Sequence, residues 1–140
     1  MHDNVPSYIR DTIYSLYCGQ TFHNELHPEL AFIDPLVRVQ DAPPTLRMFR
    51  RLNAMFPHTE ITKFEPTKLN QDRVTFDFEV IYKRKPSHRG QRMSSILTVA
   101  GNGSHVTSIQ EDWKAPFDIS SNALTALHPI RRLLGRLCGL

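Results

Sequence analysis

The sequence predicts an α+β domain in which helices come first and an antiparallel sheet follows. Three observations carry that reading. Apolar residues recur at helical spacing in the segments before Pro57, and they alternate with polar ones from Val74 to Tyr82. The two patterns are segregated along the chain and not interleaved, which argues against a wound parallel sheet. The 140 residues suffice for one domain, expected over residues 1–118, with a helical tail of the same domain over 119–140.

Taken in order, Ile9, Ile13, Leu16 and Tyr17 place a helix over Ser7 to Cys18, with Ser7 as N-cap and Gly19 as the left-handed stop. A loop or short helix is expected through FHNELHPEL. AFIDPLVRV then reads as a short extended piece, and Pro35 holds Asp34 out of a helix at a bend. The next helix starts at Asp41-Ala-Pro-Pro-Thr, since Pro is tolerated in a first turn. Its stripe is Leu46, Phe49, Leu52 and Phe56, its outer side carries Arg47, Arg50 and Arg51, and Pro57 ends it. Ile61, Lys63 and Phe64 suggest a first strand. Val74, Phe76, Phe78, Val80 and Tyr82 mark a half-buried strand, and the basic stretch Lys83–Gln91 a solvated hairpin tip. A strand from Arg92 to Ala100 follows, then the Gly101-Asn102-Gly103 hairpin turn and a last strand from His105 to about Lys114. Leu124, Leu127, Ile130, Leu133, Leu134 and Leu137, with Arg131, Arg132 and Arg136 elsewhere on the surface, make residues 121–140 a basic amphipathic tail. Such a tail packs on its own domain or lies against a partner or an anionic membrane surface.

Composition removes several function classes. Hydrophobic residues make up 40% of the chain and charged residues 22%, an ordinary globular balance that excludes a disordered tail, a collagen-like fibre and a coiled coil. The net charge is +3, gathered at the Lys83–Arg92 tip and at Arg131–Arg136. No basic face interleaved with stacking aromatics appears, so no nucleic acid is expected as a partner. No apolar run nears the ~20 residues of a bilayer span, and the first residues lack a signal-peptide pattern. Cys18 and Cys138 are too sparse for a disulfide framework, although a single bridge between them stays open. Together these point to a cytoplasmic protein. His23 and His27 flank Glu25 in HNELH, which is not the HExxH of a zinc site, so no metal is expected. Without GxGxxG, GxSxG or a phosphate-cradling loop, no cofactor is expected either.

The order of these pieces, with AFIDPLVRV, LNAMFP and the Glu111-Asp112-Trp113-Lys114 run near the end of the last strand, resembles the SnoaL-like branch of the nuclear transport factor 2-like superfamily. Ketosteroid isomerases, polyketide cyclases and limonene epoxide hydrolase share that broad group. The resemblance spans residues 7 to about 117. It implies a cystatin-like α+β cone, a strongly curved antiparallel sheet wrapped around the N-terminal helices, with an apolar pocket inside and a homodimer formed through the outer face.

Asp34, beside Ala31, Phe32 and Pro35, is the first catalytic candidate. Buried among apolar groups, a carboxylate becomes a stronger base. The other reading is that Asp34 caps its own turn. In the isomerases that the chain resembles, the Asp of the matching Asp-Pro moves a proton beside a carbonyl, while a Tyr and a neutral carboxylic acid donate to the developing enolate oxygen. Tyr14 or Tyr17 could supply the phenol. The place of the acidic donor is taken by Leu97, and the His and Asp frequent in SnoaL-like chains correspond to Ile109 and Glu111. If Trp113 faces the pocket, Glu111 shares its side and pairs with Asp34; otherwise it meets an Arg at the rim. The expected lining is Tyr14, Tyr17, Phe32, Phe49, Phe76, Phe78, Leu97 and Trp113 around a small apolar molecule. The function expected is binding of that molecule, with isomerase, cyclase or hydrolase chemistry through Asp34 and Glu111 as one alternative. A non-catalytic dimeric module, working through the sheet face or residues 121–140, is the other.

Overall fold

A computed structural model describes residues 5–19 and 26–114 of the chain. The tail at 121–140, Cys138, His23 and Glu25 lie outside these residues, as does the boundary expected near 118. Helix α1 spans Ser7–Cys18 and α2 Ala42–Met55; the strands are β1 Ala31–Ile33, β2 Arg38–Val39, β3 Glu60–Leu69, β4 Arg73–Tyr82, β5 Gln91–Gly101 and β6 Val106–Trp113.

Helix α1 buries Ile9, Ile13, Leu16 and Tyr17, the stripe its spacing requires, and stops where Gly19 adopts φ 69°. Its cap differs from expectation. Pro6 occupies the N-cap position, and its carbonyl accepts the N–H groups of Ile9 and Arg10, so Ser7 is the first helical residue and not the cap. In α2, Pro43 and Pro44 sit in the first turn, where a missing N–H costs nothing. Met48, Phe49 and Leu52 face inward and Arg47, Arg50 and Arg51 outward.

The six strands form one sheet in the order β2-β1-β6-β5-β4-β3. Five joints connect them and four are antiparallel; β1 runs parallel to β6, which makes the sheet mixed. Register shifts at Ile61/Lys63, Pro66/Lys68 and Ala100/Gly101 bend the strands around the helices. The inner face carries Val74, Phe76, Phe78 and Val80 from β4, Leu97 and Val99 from β5, and Ile109 from β6, each all but sealed from solvent. These pack with Ile13, Leu16, Tyr17, Met48 and Phe49 into one core, the α+β arrangement expected. The outer face is polar: Lys63 pairs with Asp77 at 2.8 Å, Arg92 with Glu79 at 2.9 Å, and Lys114 also with Asp77. Among the described residues, no helix is long and apolar enough to cross a membrane.

Candidate active site

The short parallel joint between β1 and β6 builds the site. Phe32 stands opposite Ile109 and Ile33 opposite Gln110. One step further along both strands come Asp34 and Glu111, far apart in sequence. They line one cavity with Tyr17 from α1, Met48, Phe49 and Leu52 from α2, Phe32, Tyr82, Met93 and Trp113. Its volume is about 20 Å³, room for one water-sized group. Among the described residues no Lys, Arg or His lines it.

The turn-capping reading of Asp34 is met in the structure. Oδ1 accepts the N–H of Leu36 at 2.8 Å and of Val37 at 2.7 Å, which caps the bend. Oδ2 has no hydrogen bond among the described residues, and the carboxyl still borders the cavity. Burial raises its pKa above the usual carboxylate value, and the two N–H donors pull it back down.

Glu111 is only 4% exposed. The inner-face alternation expected for Ile109, Glu111 and Trp113 is present: Ile109 is sealed in the core, and Glu111 and Trp113 both border the cavity. Among the described residues no Arg meets Glu111. Instead the buried Ser95 hydroxyl donates to Oε1 at 3.2 Å. Burial pushes the Glu111 carboxyl up to about 8, and the negative charge of Asp34 adds to the rise. Ser95, the Trp113 indole and the Tyr17 hydroxyl oppose it, each favouring the charged form. Burial thus raises both carboxyls, and Glu111, the more deeply buried, is raised to about 8. Two carboxyls pushed apart in this way take opposite roles in proton transfer.

The Tyr17 hydroxyl is buried and near enough to Glu111 for each to perturb the other, yet it falls short of a well-formed hydrogen bond. Burial and the nearby carboxyls raise the phenol pKa well above its usual value, as they do for Tyr82, so both remain protonated donors.

Of the lining expected from sequence, Tyr17, Phe32, Phe49 and Trp113 meet Asp34 and Glu111 at the cavity. Tyr14, Phe76, Phe78 and Leu97 do not border it. Tyr14 packs edge-on against Phe64, which in turn stacks on the Phe76 ring and meets Phe78 edge-on. Phe78 and Leu97 are sealed in the core.

No family model matches the chain, and no curated protein matches it in sequence. Solved structures do. A nuclear transport factor 2-like protein from Anabaena variabilis superposes with a TM-score of 0.62 at 15% identity, over 78% of this chain and 85% of that one. A SnoaL-like protein from Jannaschia gives 0.59 at 11% identity, over 81% and 92%. A protein of ketosteroid isomerase-like fold from Catenulispora acidiphila, in complex with trimethylamine, gives 0.57 at 14%, over 77% and 85%. The fold is that of the nuclear transport factor 2-like proteins.

Within this nuclear transport factor 2-like cone, the register explains the Leu97 anomaly. Leu97 pairs directly with Glu111 across β5 and β6. The buried Glu111 carboxyl thus lies one strand over from the position where the resemblance implies an acidic donor. Sequence reasoning missed Ser95, Tyr82, Met48, Leu52 and Met93. Ser95 had a signal: it is the polar member of the inward series Met93, Ser95, Leu97, Val99. Tyr82 had one too, as the inward end of the β4 alternation.

Proposed function

We propose that this chain binds a small, neutral, largely apolar molecule in the cone and moves a proton on it, with Asp34 as base and Glu111 as uncharged acid. The observation that carries the reading is the pair of carboxyls lining one cavity, with Glu111 sealed from solvent and its pKa pushed up to about 8. Asp34 removes a proton from carbon beside a carbonyl. Glu111, with Tyr17 next to it, donates a hydrogen bond to the oxygen on which negative charge develops. Asp34 then returns the proton, so no oxidant or second substrate is needed. An anionic ligand is disfavoured, because the lining contributed by the described residues offers acidic groups and no cation. The present cavity admits a group the size of a carbonyl oxygen or a water. Seating a whole ligand requires Met48 and Met93, the most deformable side chains of the lining, to shift.

The likeness in fold to isomerase- and cyclase-type proteins is compatible with this chemistry. The test is proton exchange in deuterated water, followed by NMR on a panel of small cyclic ketones and enones. Deuterium should enter the carbon beside the carbonyl with the wild-type chain and stay at the buffer rate with Asp34→Asn. Exchange no faster than buffer for every ketone, or equal exchange by both proteins, would contradict the proposal.

A further inference from the structure

Two consecutive serines on β5 face opposite sides of the sheet, and each donates to a glutamate. Ser94 Oγ reaches Glu79 Oε2 at 3.1 Å on the outer face, and Ser95 Oγ reaches Glu111 Oε1 at 3.2 Å on the inner one. The settings differ in everything else. Glu79 also has Arg92 and Thr62 as partners, and its carboxyl is held below the usual range. Glu111 has no cation, and Ser95, fully buried, has no second hydrogen-bond acceptor among the described residues.

A buried hydroxyl left without an acceptor is costly, so Ser95 must give its proton to Glu111 and not receive one. Oε1 is then the acceptor oxygen of the carboxyl in either protonation state. The acidic proton of the neutral form is left to Oε2.

We propose that Ser95 is a positioning residue of the site: through its hydrogen bond to Oε1 it fixes the rotamer of Glu111 and directs the acidic proton to Oε2. The inference rests on the reading of Glu111 as the acid of the site. It adds the residue that decides which oxygen donates. Placement of that kind is needed because a donor displaced by about 1 Å loses much of its catalytic value. The register supports the geometry. Ser95 pairs with Trp113 and Leu97 with Glu111, so Ser95 lies diagonally across from Glu111 on the same face. Among the described residues the other ionisable groups facing Glu111 are Tyr17 from α1, Asp34 beyond β1 and Tyr82 from β4, none of them cationic.

The test needs no ligand, because Trp113 is the single tryptophan of the chain and adjoins Glu111. Its fluorescence is followed from pH 5 to pH 10 in the full-length protein, and the transition lost in Glu111→Gln belongs to Glu111. The Ser95 hydrogen bond favours the carboxylate, so Ser95→Ala should move that midpoint upward by about one pH unit. Ser95→Thr, which retains the hydroxyl, should restore it, and Ser94→Ala should leave it unchanged. Near-ultraviolet circular dichroism checks that each variant is folded, and Ser95→Thr and Ser95→Cys carry the comparison if the alanine variant is not. The cysteine, a weak donor, should then shift the midpoint upward relative to threonine. An unshifted midpoint in Ser95→Ala, or equal shifts for Ser95→Ala and Ser94→Ala, overturns the role of Ser95 alone. A wild-type chain with no transition attributable to Glu111 overturns the reading of Glu111 as the acid, and the role of Ser95 with it.

Discussion

Glu111→Gln keeps the shape of the uncharged side chain and removes its ability to ionise. In the folded chain the carboxyl titrates at about 8, while in the unfolded chain it returns to the ordinary value of 4.5. Between those limits the unfolded chain has released the proton and the folded chain still holds it. Each unit of rising pH then favours unfolding by roughly 1.4 kcal/mol. The contribution of this group to stability is fully present below pH 4.5 and has been lost by pH 8. At pH 7 the loss amounts to about 3 kcal/mol, a large fraction of the stability of an ordinary domain. Asp34, also raised, tilts stability the same way at lower pH; Asp77 and Glu79, held down by their partners, tilt it oppositely in the acid range. Those effects cancel in the difference between the two proteins. Urea unfolding at unit steps from pH 5 to pH 9 measures that difference. The variant should be close to wild type near pH 5 and more stable by about 3 kcal/mol at pH 7, with the gap levelling off above pH 8. A gap that is constant across the range, or one favouring wild type as pH rises, would refute the reasoning.

Other outcomes follow from the same geometry. Asp34→Asn retains an acceptor for the Leu36 and Val37 N–H groups but removes the charge that opposes ionisation of Glu111. The chain should therefore stay folded while the Glu111 midpoint, read by Trp113 fluorescence, falls below about 8; an unchanged midpoint contradicts the coupling of the pair. Tyr17→Phe removes a buried hydroxyl that lacks a well-formed hydrogen bond, so stability by urea unfolding should change by less than about 1 kcal/mol. The same substitution should raise the Glu111 midpoint, and a fall would show that the phenol does not favour the carboxylate. At Gly90, φ is +76° and an added Cβ would lie 2.6 Å from the Tyr82 carbonyl oxygen. Gly90→Ala should cost about 1–3 kcal/mol, and urea unfolding with no loss would contradict that strain. Turnover of any ketone that shows exchange should decline above about pH 8, where Glu111 gives up its proton; a rate flat to pH 10 contradicts the acid role.

The elements legible in the sequence are those with long regular patterns. Ile9 to Tyr17 and Leu46 to Phe56 repeat with the helical period over several turns, and Val74 to Tyr82 alternate over one strand, so burial on one face follows directly. Strands β1 and β2 are three and two residues long, too short to show any period. Their pairing is a tertiary choice, and the parallel joint it creates is what places Asp34 beside Glu111. Asp34 was recognisable because Pro35 forces its bend, and Glu111 because it shares a side with Trp113. The state of Glu111 is not recognisable in the sequence: it depends on depth and on the charge of Asp34 nearby, neither of which one strand records. Phe76, Phe78 and Leu97, expected in the lining, fill the core for a related reason. Alternation reports that a residue faces inward, and a filled core and an open cavity share that inward side.

The central claim is that one cavity holds a carboxylate at Asp34 and a neutral acid at Glu111. Carboxyl carbon NMR of chains labelled at Asp and Glu, assigned with Asp34→Asn and Glu111→Gln and titrated from pH 3 to pH 10, reads both groups at once. Glu111 should titrate at about 8, with Asp34 above its usual 3.8 but ionised first, leaving one charge between them at pH 7. Two carboxylates at pH 7, both titrating in the ordinary acid range, would contradict it.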